Sequence, residues 1–259
     1  MFLKAERIGN FVLLSKQIFF IDRLKVLLQK RFVEGKLKLN GKKFVYTDSS
    51  SFMAIYTEVF QKQIYNYQSN KSKPVIYDCG ANIGLSVIYF KIKFPNAELH
   101  AFEPDPMIFN ILKSNLAPYN FSDLILHENA VWKSNEELSF LAQGGSSGKI
   151  SKEESTFKVK GIRLKEWLNQ EIDFLKMDIE GVEFEVLKDC KDELKMVRNL
   201  FIEYHAFENE EQYLDEILSI VKVAGFKYFI QHETSSNSPF IKINKIGNMN
   251  LQLNLFCYR

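Results

Sequence analysis

The stretch from Val75 to Pro106 limits the possible folds of this chain more than any other feature. An apolar run enters a turn that contains glycines, a helical run follows, and a second apolar run ends at Glu103. A strand–helix–strand unit of this kind joins neighbouring parallel strands, and open α/β sheets bind small ligands at the carboxyl ends of such strands. The sequence therefore predicts a ligand site where these two strands end.

The alternation of strands and helices continues to the C-terminus and predicts a doubly wound, mostly parallel α/β sheet with helices on both faces. The predicted strands are Val75–Cys79, Glu98–Glu103, Leu124–Asn129, Phe174–Asp178, Val197–His205, Lys227–His232 and Leu251–Tyr258. The predicted helices are Leu85–Lys93, Pro106–Leu116, Leu164–Asn169, Val182–Cys190 and Glu210–Ala224. Only a loop separates the last two strands, so they can form an antiparallel pair.

Residues 1–70 are predicted to form a helix and hairpin extension packed on a main domain of residues 71–259. Apolar residues recur at helical spacing over Asn10–Phe32, and a second, aromatic-rich helix is predicted over Ser51–Tyr67. Between them, Lys36–Thr47 contains Asn40-Gly41, the dipeptide favoured in a two-residue hairpin turn.

The segment Gln143–Ser155 interrupts the alternation with a Gly-Gly-Ser-Ser-Gly run and several charges. Such a composition buries little and predicts a surface loop. Two interpretations stay open, a solvated connection and a lid over an acceptor site.

Composition excludes several classes of protein. The 34 basic and 32 acidic residues leave a net charge of +2, which argues against a nucleic-acid partner. Three widely spaced cysteines indicate reduced thiols and a cytoplasmic protein. The apolar run Ile8–Ile21 is interrupted by polar residues, so we expect neither a signal peptide nor stable membrane insertion, although a helix lying at a membrane interface stays open.

The glycine turn that follows the first strand reads Asp78-Cys79-Gly80-Ala81-Asn82-Ile83-Gly84. Gly80 permits a tight turn and Gly84 permits close packing of the next helix. Asp78, at the strand end, suits the ammonium of an amino-acid ligand better than a pyrophosphate, which argues against NAD and for S-adenosylmethionine. The alternative is a turn that only joins strand to helix.

Glu103 ends the second strand about 20 residues after the glycine turn, the separation expected for an acid that binds ribose hydroxyls. Pro104 follows it and opens the next helix with Asp105. After the third strand, Asn129 and Ala130 lie where a loop contacting adenine is expected, or they simply form the exit of that strand.

The sequence resembles the FkbM-type family of class I S-adenosylmethionine-dependent methyltransferases. The resemblance covers roughly residues 52–205. It rests on Tyr-Asp-Cys-Gly-Ala-Asn-Ile-Gly at 77–84, Ala-Phe-Glu-Pro-Asp at 101–105, Asn-Ala at 129–130 and Phe-Leu-Lys-Met-Asp-Ile-Glu-Gly-Val-Glu-Phe-Glu-Val-Leu at 174–187. It implies the Rossmann-like class I fold, S-adenosylmethionine as cofactor, and methyl transfer to hydroxyl groups of sugars, polyketides and similar metabolites.

The sheet order implied by the resemblance places the strand ending at Asp178 beside the first strand, and the strand ending at His205 next to that. Asp178 and Glu180 are two residues apart, as are Glu203 and His205, so each pair shares one face of extended chain. His205 could act as a general base, with Asp178 and Glu180 beside it. Alternatively Asp178, Glu203 and His205 hold a divalent metal ion, or Glu203 and His205 only cap the strand end.

Together these features predict an O-methyltransferase that acts on a saccharide hydroxyl. A small-molecule or nucleotide-sugar acceptor, or a precursor of a surface polysaccharide, fits best. Methylation of a lipid, polyketide or peptide is the alternative within the same chemistry. A non-catalytic module that binds S-adenosylmethionine is the alternative from another class.

Overall fold

The computed structural model describes residues 18–142, 148–150, 157–232, 236–245 and 248–259. The first elements precede the central sheet: α1 Phe20–Leu28, β1 Gly35–Leu39, β2 Lys42–Tyr46 and α2 Ser49–Tyr56, which continues as a π-helical turn over Thr57–Lys62. Then follow β3 Val75–Cys79, α3 Leu85–Lys93, β4 Glu98–Phe102, α4 Pro106–Leu116 and β5 Leu124–His127. Four short strands come next: β6 Ala130–Trp132, β7 Glu137–Ala142, β8 Gly148–Ile150 and β9 Phe157–Arg163. The last elements are β10 Ile172–Met177, α5 Glu183–Asp189, β11 Val197–Phe207, α6 Leu214–Val223, β12 Lys227–His232 and β13 Met249–Tyr258.

Seven strands form the central sheet in the order β12–β13–β11–β10–β3–β4–β5. The strands from β11 to β5 run parallel, and β13 lies antiparallel between β11 and β12. The predicted seven-stranded α/β sheet and its final antiparallel pair are therefore confirmed. The carboxyl ends of β3, β4 and β10 meet at one edge, where the ligand site is expected.

The N-terminal elements pack on one face of this sheet. The hairpin prediction is confirmed, since Leu39 pairs with Lys42 and both Asn40 and Gly41 have positive φ. The second helix is shorter than predicted because Gln63 adopts a left-handed conformation that ends it. Of the predicted first helix, residues 10–17 lie outside the described chain.

One hydrophobic core joins the N-terminal layer to the sheet. A row of buried aromatic rings runs from Phe44 through Phe52 and Tyr56 to Phe60, with neighbouring ring centroids 5.3–6.1 Å apart. The same core contains Ile76 of β3. The predicted boundary between the two domains at residue 70 stays a prediction.

The sequence did not predict the second sheet, which has the order β6–β9–β7–β8. Its strands are short and are separated by Gly, Ser and charged residues, so they carry little periodic signal. Part of the predicted loop, Gly148–Ile150, pairs with β7; residues 143–147 and 151–156 lie outside the described residues, so the lid stays untested. The predicted helix Leu164–Asn169 is wrong, because only one 3₁₀ turn forms, over Leu164–Glu166.

Within the described part of the chain, every helix is too short or too polar to cross a membrane.

Asp48 links several segments of the N-terminal layer, and its substitution should lower the stability of the fold. Its buried carboxylate accepts hydrogen bonds from the backbone N–H groups of Phe32 (2.8 Å) and Ser51 (2.9 Å) and pairs with Arg31 at 3.1 Å. We expect Asp48→Ala to lower the free energy of unfolding by about 1–3 kcal/mol, measured by urea denaturation. The matched control Glu34→Ala removes an exposed carboxylate and should change it by about 0.5 kcal/mol at most.

The contribution of Asp48 to the free energy of unfolding should also depend on pH. Burial opposes the charge of Asp48, but hydrogen bonds from Arg31, Phe32 and Ser51 outweigh it and hold its pKa well below the ordinary value. A lowered pKa stabilises the folded state above the unfolded-state pKa of about 4, and this stabilisation is lost as the pH falls further. The difference between wild type and Asp48→Ala should therefore shrink in acid; a constant difference would contradict this.

Candidate functional site

A cleft opens at the carboxyl ends of β3, β4 and β10, with a volume of about 630 Å³ that includes its open mouth. It is lined by Gly80, Asn82, Phe102, Glu103, Pro104, Asp105, Ile108, Asn129, Ala130, Val131, Phe140, Asp178, Ile179, Glu180 and Val182. Six of the eight residues predicted to bind the cofactor are in this set, namely Gly80, Asn82, Glu103, Pro104, Asn129 and Ala130.

Gly80 is required by the close approach of two backbone segments. Its φ is +87°, and a Cβ at this position would lie 1.9 Å from the carbonyl oxygen of Asp178. The N–H groups of Gly80 and Ala81 both donate to the carbonyl of Phe102. The glycine turn therefore bridges β4 and β10 and forms the floor of the cleft.

Glu103 is held between two loops at the rim of the cleft. Its carboxylate accepts one hydrogen bond from the N–H of Asn82 at 3.0 Å and another from the N–H of Asp105 at 2.9 Å. Burial raises the pKa of Glu103 to about 8, although both N–H donors act to lower it. Further donors, such as ligand hydroxyls, would stabilise its ionised form.

Asp78 and Gly84 do not line this cleft. The Asp78 side chain is 0% exposed, accepts a hydrogen bond from Ser86 Oγ at 2.5 Å and lies 3.2 Å from Lys176 Nζ. Its carboxylate already has an internal cation, and its expected contact with a ligand ammonium stays a prediction. Gly84 has a φ of +98°, and a Cβ there would lie 2.8 Å from Leu112, so it permits close packing against α4.

Lys176, which the sequence analysis did not select, connects the cleft to its neighbouring polar groups. Its buried Nζ donates to the carbonyl of Gly80 at 2.7 Å and lies 3.2 Å from both Asp78 Oδ1 and Asp178 Oδ2. Burial opposes its charge, but Asp178 and Asp78 raise its pKa well above the ordinary value. A lysine inside an otherwise apolar strand was the available sequence signal.

The predicted polar residues of β10 and β11 do converge. One ligand atom from each of Asp178, Glu203 and His205 lies within 4.8 Å of the others. His205 Nε2 is 3.6 Å from Glu203 Oε1 and 3.9 Å from Glu180 Oε2. We call these four residues the acceptor cluster. Asp178 and Glu180 belong both to this cluster and to the lining of the cleft.

Glu183 orients the cluster, and sequence analysis assigned it no role. Its Oε1 accepts hydrogen bonds from the N–H groups of Ile179 (3.2 Å) and Gly181 (3.1 Å) and lies 3.1 Å from His205 Nδ1. This carboxylate fixes the turn after β10 and favours the proton on Nδ1. Nε2 of His205 therefore faces the other carboxylates of the cluster.

Burial and neighbouring carboxylates both act on the pKa values of the acceptor cluster. Burial disfavours a charged His205, but Glu183 and Glu203 raise its pKa well above the ordinary value. Burial raises the pKa of Glu180 to about 7, and burial together with Glu203 raises that of Asp178. The neighbouring carboxylates therefore stabilise the protonated form of the His205 ring.

Removal of the Lys176 charge should destabilise the fold unless a partner is removed with it. Lys176→Met leaves the buried carboxylate of Asp78 and the partly buried carboxylate of Asp178 without their cation, and we expect about 3–5 kcal/mol less free energy of unfolding. The double variant Asp78→Asn/Lys176→Met removes one of those carboxylates and should recover part of the loss. Equal destabilisation in both variants, measured by urea denaturation, would contradict this charge balance.

Known methyltransferases resemble this chain in sequence. A family model described as "Methyltransferase FkbM domain" matches residues 78–228. The chain is 32% identical over 193 residues to methyltransferase sdnD of Sordaria araneosa, covering 58% of this chain and 73% of that protein. It is 28% identical over 158 residues to the 2-O-methyltransferase NoeI of Sinorhizobium fredii, covering 52% of this chain and 64% of that one.

A solved structure agrees on the fold. The crystal structure of methyltransferase FkbM from Methylobacillus flagellatus superposes with a TM-score of 0.53 at 17% identity and covers 98% of this chain. This chain spans 59% of that longer protein. Because the sequence identity is so low, the likeness concerns the fold alone. The fold is that of class I Rossmann-like methyltransferases, and the chain belongs to the family of methyltransferases with an FkbM domain.

Proposed function

We propose that this methyltransferase takes its methyl group from S-adenosylmethionine and transfers it to a hydroxyl oxygen of a saccharide. One observation carries the proposal: Asp178 and Glu180 line the cleft and also belong to the acceptor cluster. A donor in the cleft and an acceptor at the cluster would therefore lie side by side, and orienting two reactants is a large part of catalysis.

The residues present fit S-adenosylmethionine. Gly80 lines the cleft and has no side chain to project into it. Glu103 is held at the rim by two N–H groups, and its remaining oxygen lone pairs can accept from ribose hydroxyls. Asp178 and Glu180 place negative charge beside the position of a cationic sulfonium. The cofactor supplies an activated methyl group, so the protein has to orient the acceptor and manage one proton.

The acceptor cluster supports a divalent metal ion as a second component. Asp178, Glu203 and His205 offer two carboxylates and an imidazole, with Glu183 as the outer carboxylate that orients the ring. Lys176 holds one oxygen of Asp178 and fixes the direction of that carboxylate. A metal here would lower the pKa of a bound hydroxyl. The alternative is His205 as a general base that takes the proton of the acceptor hydroxyl.

The proposal includes a saccharide as the acceptor and the cytoplasm as the location of the protein. The name of the relative NoeI, a 2-O-methyltransferase, supports an oxygen acceptor. A polar cluster that can bind vicinal oxygens supports a sugar, free or linked to a nucleotide. Cys79, Cys190 and Cys257 are free and buried, as expected for a reducing compartment.

A lipid, polyketide or other apolar acceptor is the second candidate, and one observation favours it. Phe240 and Ile241 are almost fully exposed in the segment that precedes β13. β13 begins at Met249, which pairs with Phe207 at the end of β11, two residues after His205. Transfer of labelled methyl groups to sugar nucleotides and, in parallel, to lipids would separate the two candidates.

Loss of the Glu103 carboxylate should weaken binding of S-adenosylmethionine. Hydrogen bonds to a charged group contribute about 1.5–3 kcal/mol, so Glu103→Gln should raise the Kd about 10–100-fold. The matched control Glu128→Gln changes an exposed carboxylate directly after β5, outside the cleft lining, and should leave the Kd unchanged. Calorimetric titration measures both, and unchanged affinity in Glu103→Gln would remove this residue from the ribose role.

Chelation should separate the two mechanisms. If the cluster holds a metal, a chelator abolishes turnover and a divalent cation restores it. Glu203→Gln should then abolish turnover while binding of S-adenosylmethionine survives, because Glu203 does not line the cleft. Glu208→Gln, at the same edge of the sheet but paired with Lys245, is the control and should keep full activity. Activity that persists in the presence of the chelator would contradict a bound metal ion and leave His205 as the general base.

A further inference from the structure

We propose that α1 binds the surface of an anionic phospholipid bilayer. Eight large apolar side chains are exposed on this helix and its flanks: Phe19, Phe20, Ile21, Leu24, Leu27, Leu28, Phe32 and Val33. Contiguous exposed apolar surface of this kind marks an interaction site. The inference is independent of the acceptor and of the methyl donor.

The exposed apolar side chains of α1 form one stripe. At about 100° per residue, Leu27, Phe20, Leu24, Leu28 and Ile21 fall within an arc of about 120°. Phe20 is 82% exposed and Leu28 is 79% exposed. An apolar arc of this width on the outer side of a helix is the pattern of helices that lie in a membrane interface.

The opposite side of α1 anchors the helix to the protein. Val26 is only 1% exposed and belongs to the core shared with β1 and β2. Just after the helix, the Gln29 carbonyl accepts a hydrogen bond from Ser49 Oγ at 3.1 Å, and the Tyr46 hydroxyl donates to the Gln29 side chain. The helix is therefore held in place with its apolar stripe directed away from the core.

Basic side chains flank the stripe on both edges. Arg23 lies about 40° beyond Leu27 and Lys25 about 40° beyond Ile21 on the same helical projection. Both are exposed. Long basic side chains at such edges can place their charge among lipid phosphates while their stems cover apolar surface.

The charge of the whole segment favours an anionic partner. Residues 18–38 contain six Lys or Arg against two Asp or Glu, and Asp48, which pairs with Arg31, leaves a surplus of three positive charges, in a chain of 34 against 32 overall. In a symmetric contact between two copies the same patch meets itself, so Arg23 and Lys25 would face like charges. Anionic lipid removes that repulsion.

Vesicle sedimentation with the full chain tests the proposal. We expect binding to vesicles of phosphatidylcholine mixed with phosphatidylglycerol, weakening as salt is added, and little binding to phosphatidylcholine alone. Arg23→Gln/Lys25→Gln should lower the partition coefficient about 10–30-fold. Leu24→Glu/Leu28→Glu should reduce binding to the level of phosphatidylcholine. The control Val223→Glu, at an exposed apolar position of α6, should bind as wild type.

A fluorescence measurement keeps the test decisive if the glutamate variant fails to fold. Phe20→Trp preserves an apolar surface, and its emission, after subtraction of the wild-type signal, should shift to shorter wavelength with phosphatidylglycerol vesicles only. No binding to anionic vesicles at low salt, or binding that survives Leu24→Glu/Leu28→Glu, would overturn the proposal. So would a dimer that this double variant converts to monomer, since the stripe would then belong to a second copy.

Discussion

A single buried ammonium holds the two halves of the site together. Lys176 Nζ contacts the carbonyl of Gly80 in the cleft floor and the carboxylates of Asp78 and Asp178. Without this cation, the buried carboxylate of Asp78 and the partly buried carboxylate of Asp178 would lose their shared partner, at a cost of several kcal/mol. The cleft and the acceptor cluster are thus parts of one charged network, and the position of Asp178 depends on it.

The outer side of that network is held by a second buried charge, the Glu183 carboxylate. It satisfies the turn that follows β10, where Glu180 and Gly181 have positive φ, and it orients His205. Lys176 contacts and orients Asp178, and Glu183 contacts and orients His205. This arrangement explains how residues from two strands and one turn can present a common set of ligand atoms.

The strands and helices after Val75 could be predicted because their periodicity is strong and their ends carry glycine, proline or acidic residues. Asp178, Glu180, Glu203 and His205 could be predicted to converge because parallel strands end at one edge. The pairing of Asp78 with Lys176 could not be predicted, because no local pattern shows that a lysine almost 100 residues later contacts this carboxylate. The sheet of β6 to β9 was not predicted, because its strands depend on long-range pairing. Short, polar segments carry no periodic pattern that indicates such pairing.

Calorimetric titration with S-adenosylmethionine and with NAD tests the central claim most directly. The turn at Gly80, the carboxylate of Glu103 and the acidic edge at Asp178 should favour a cationic sulfonium nucleoside over a pyrophosphate dinucleotide. The account predicts saturable binding of S-adenosylmethionine by the wild-type chain and no measurable heat with NAD. Binding of NAD without binding of S-adenosylmethionine would contradict it.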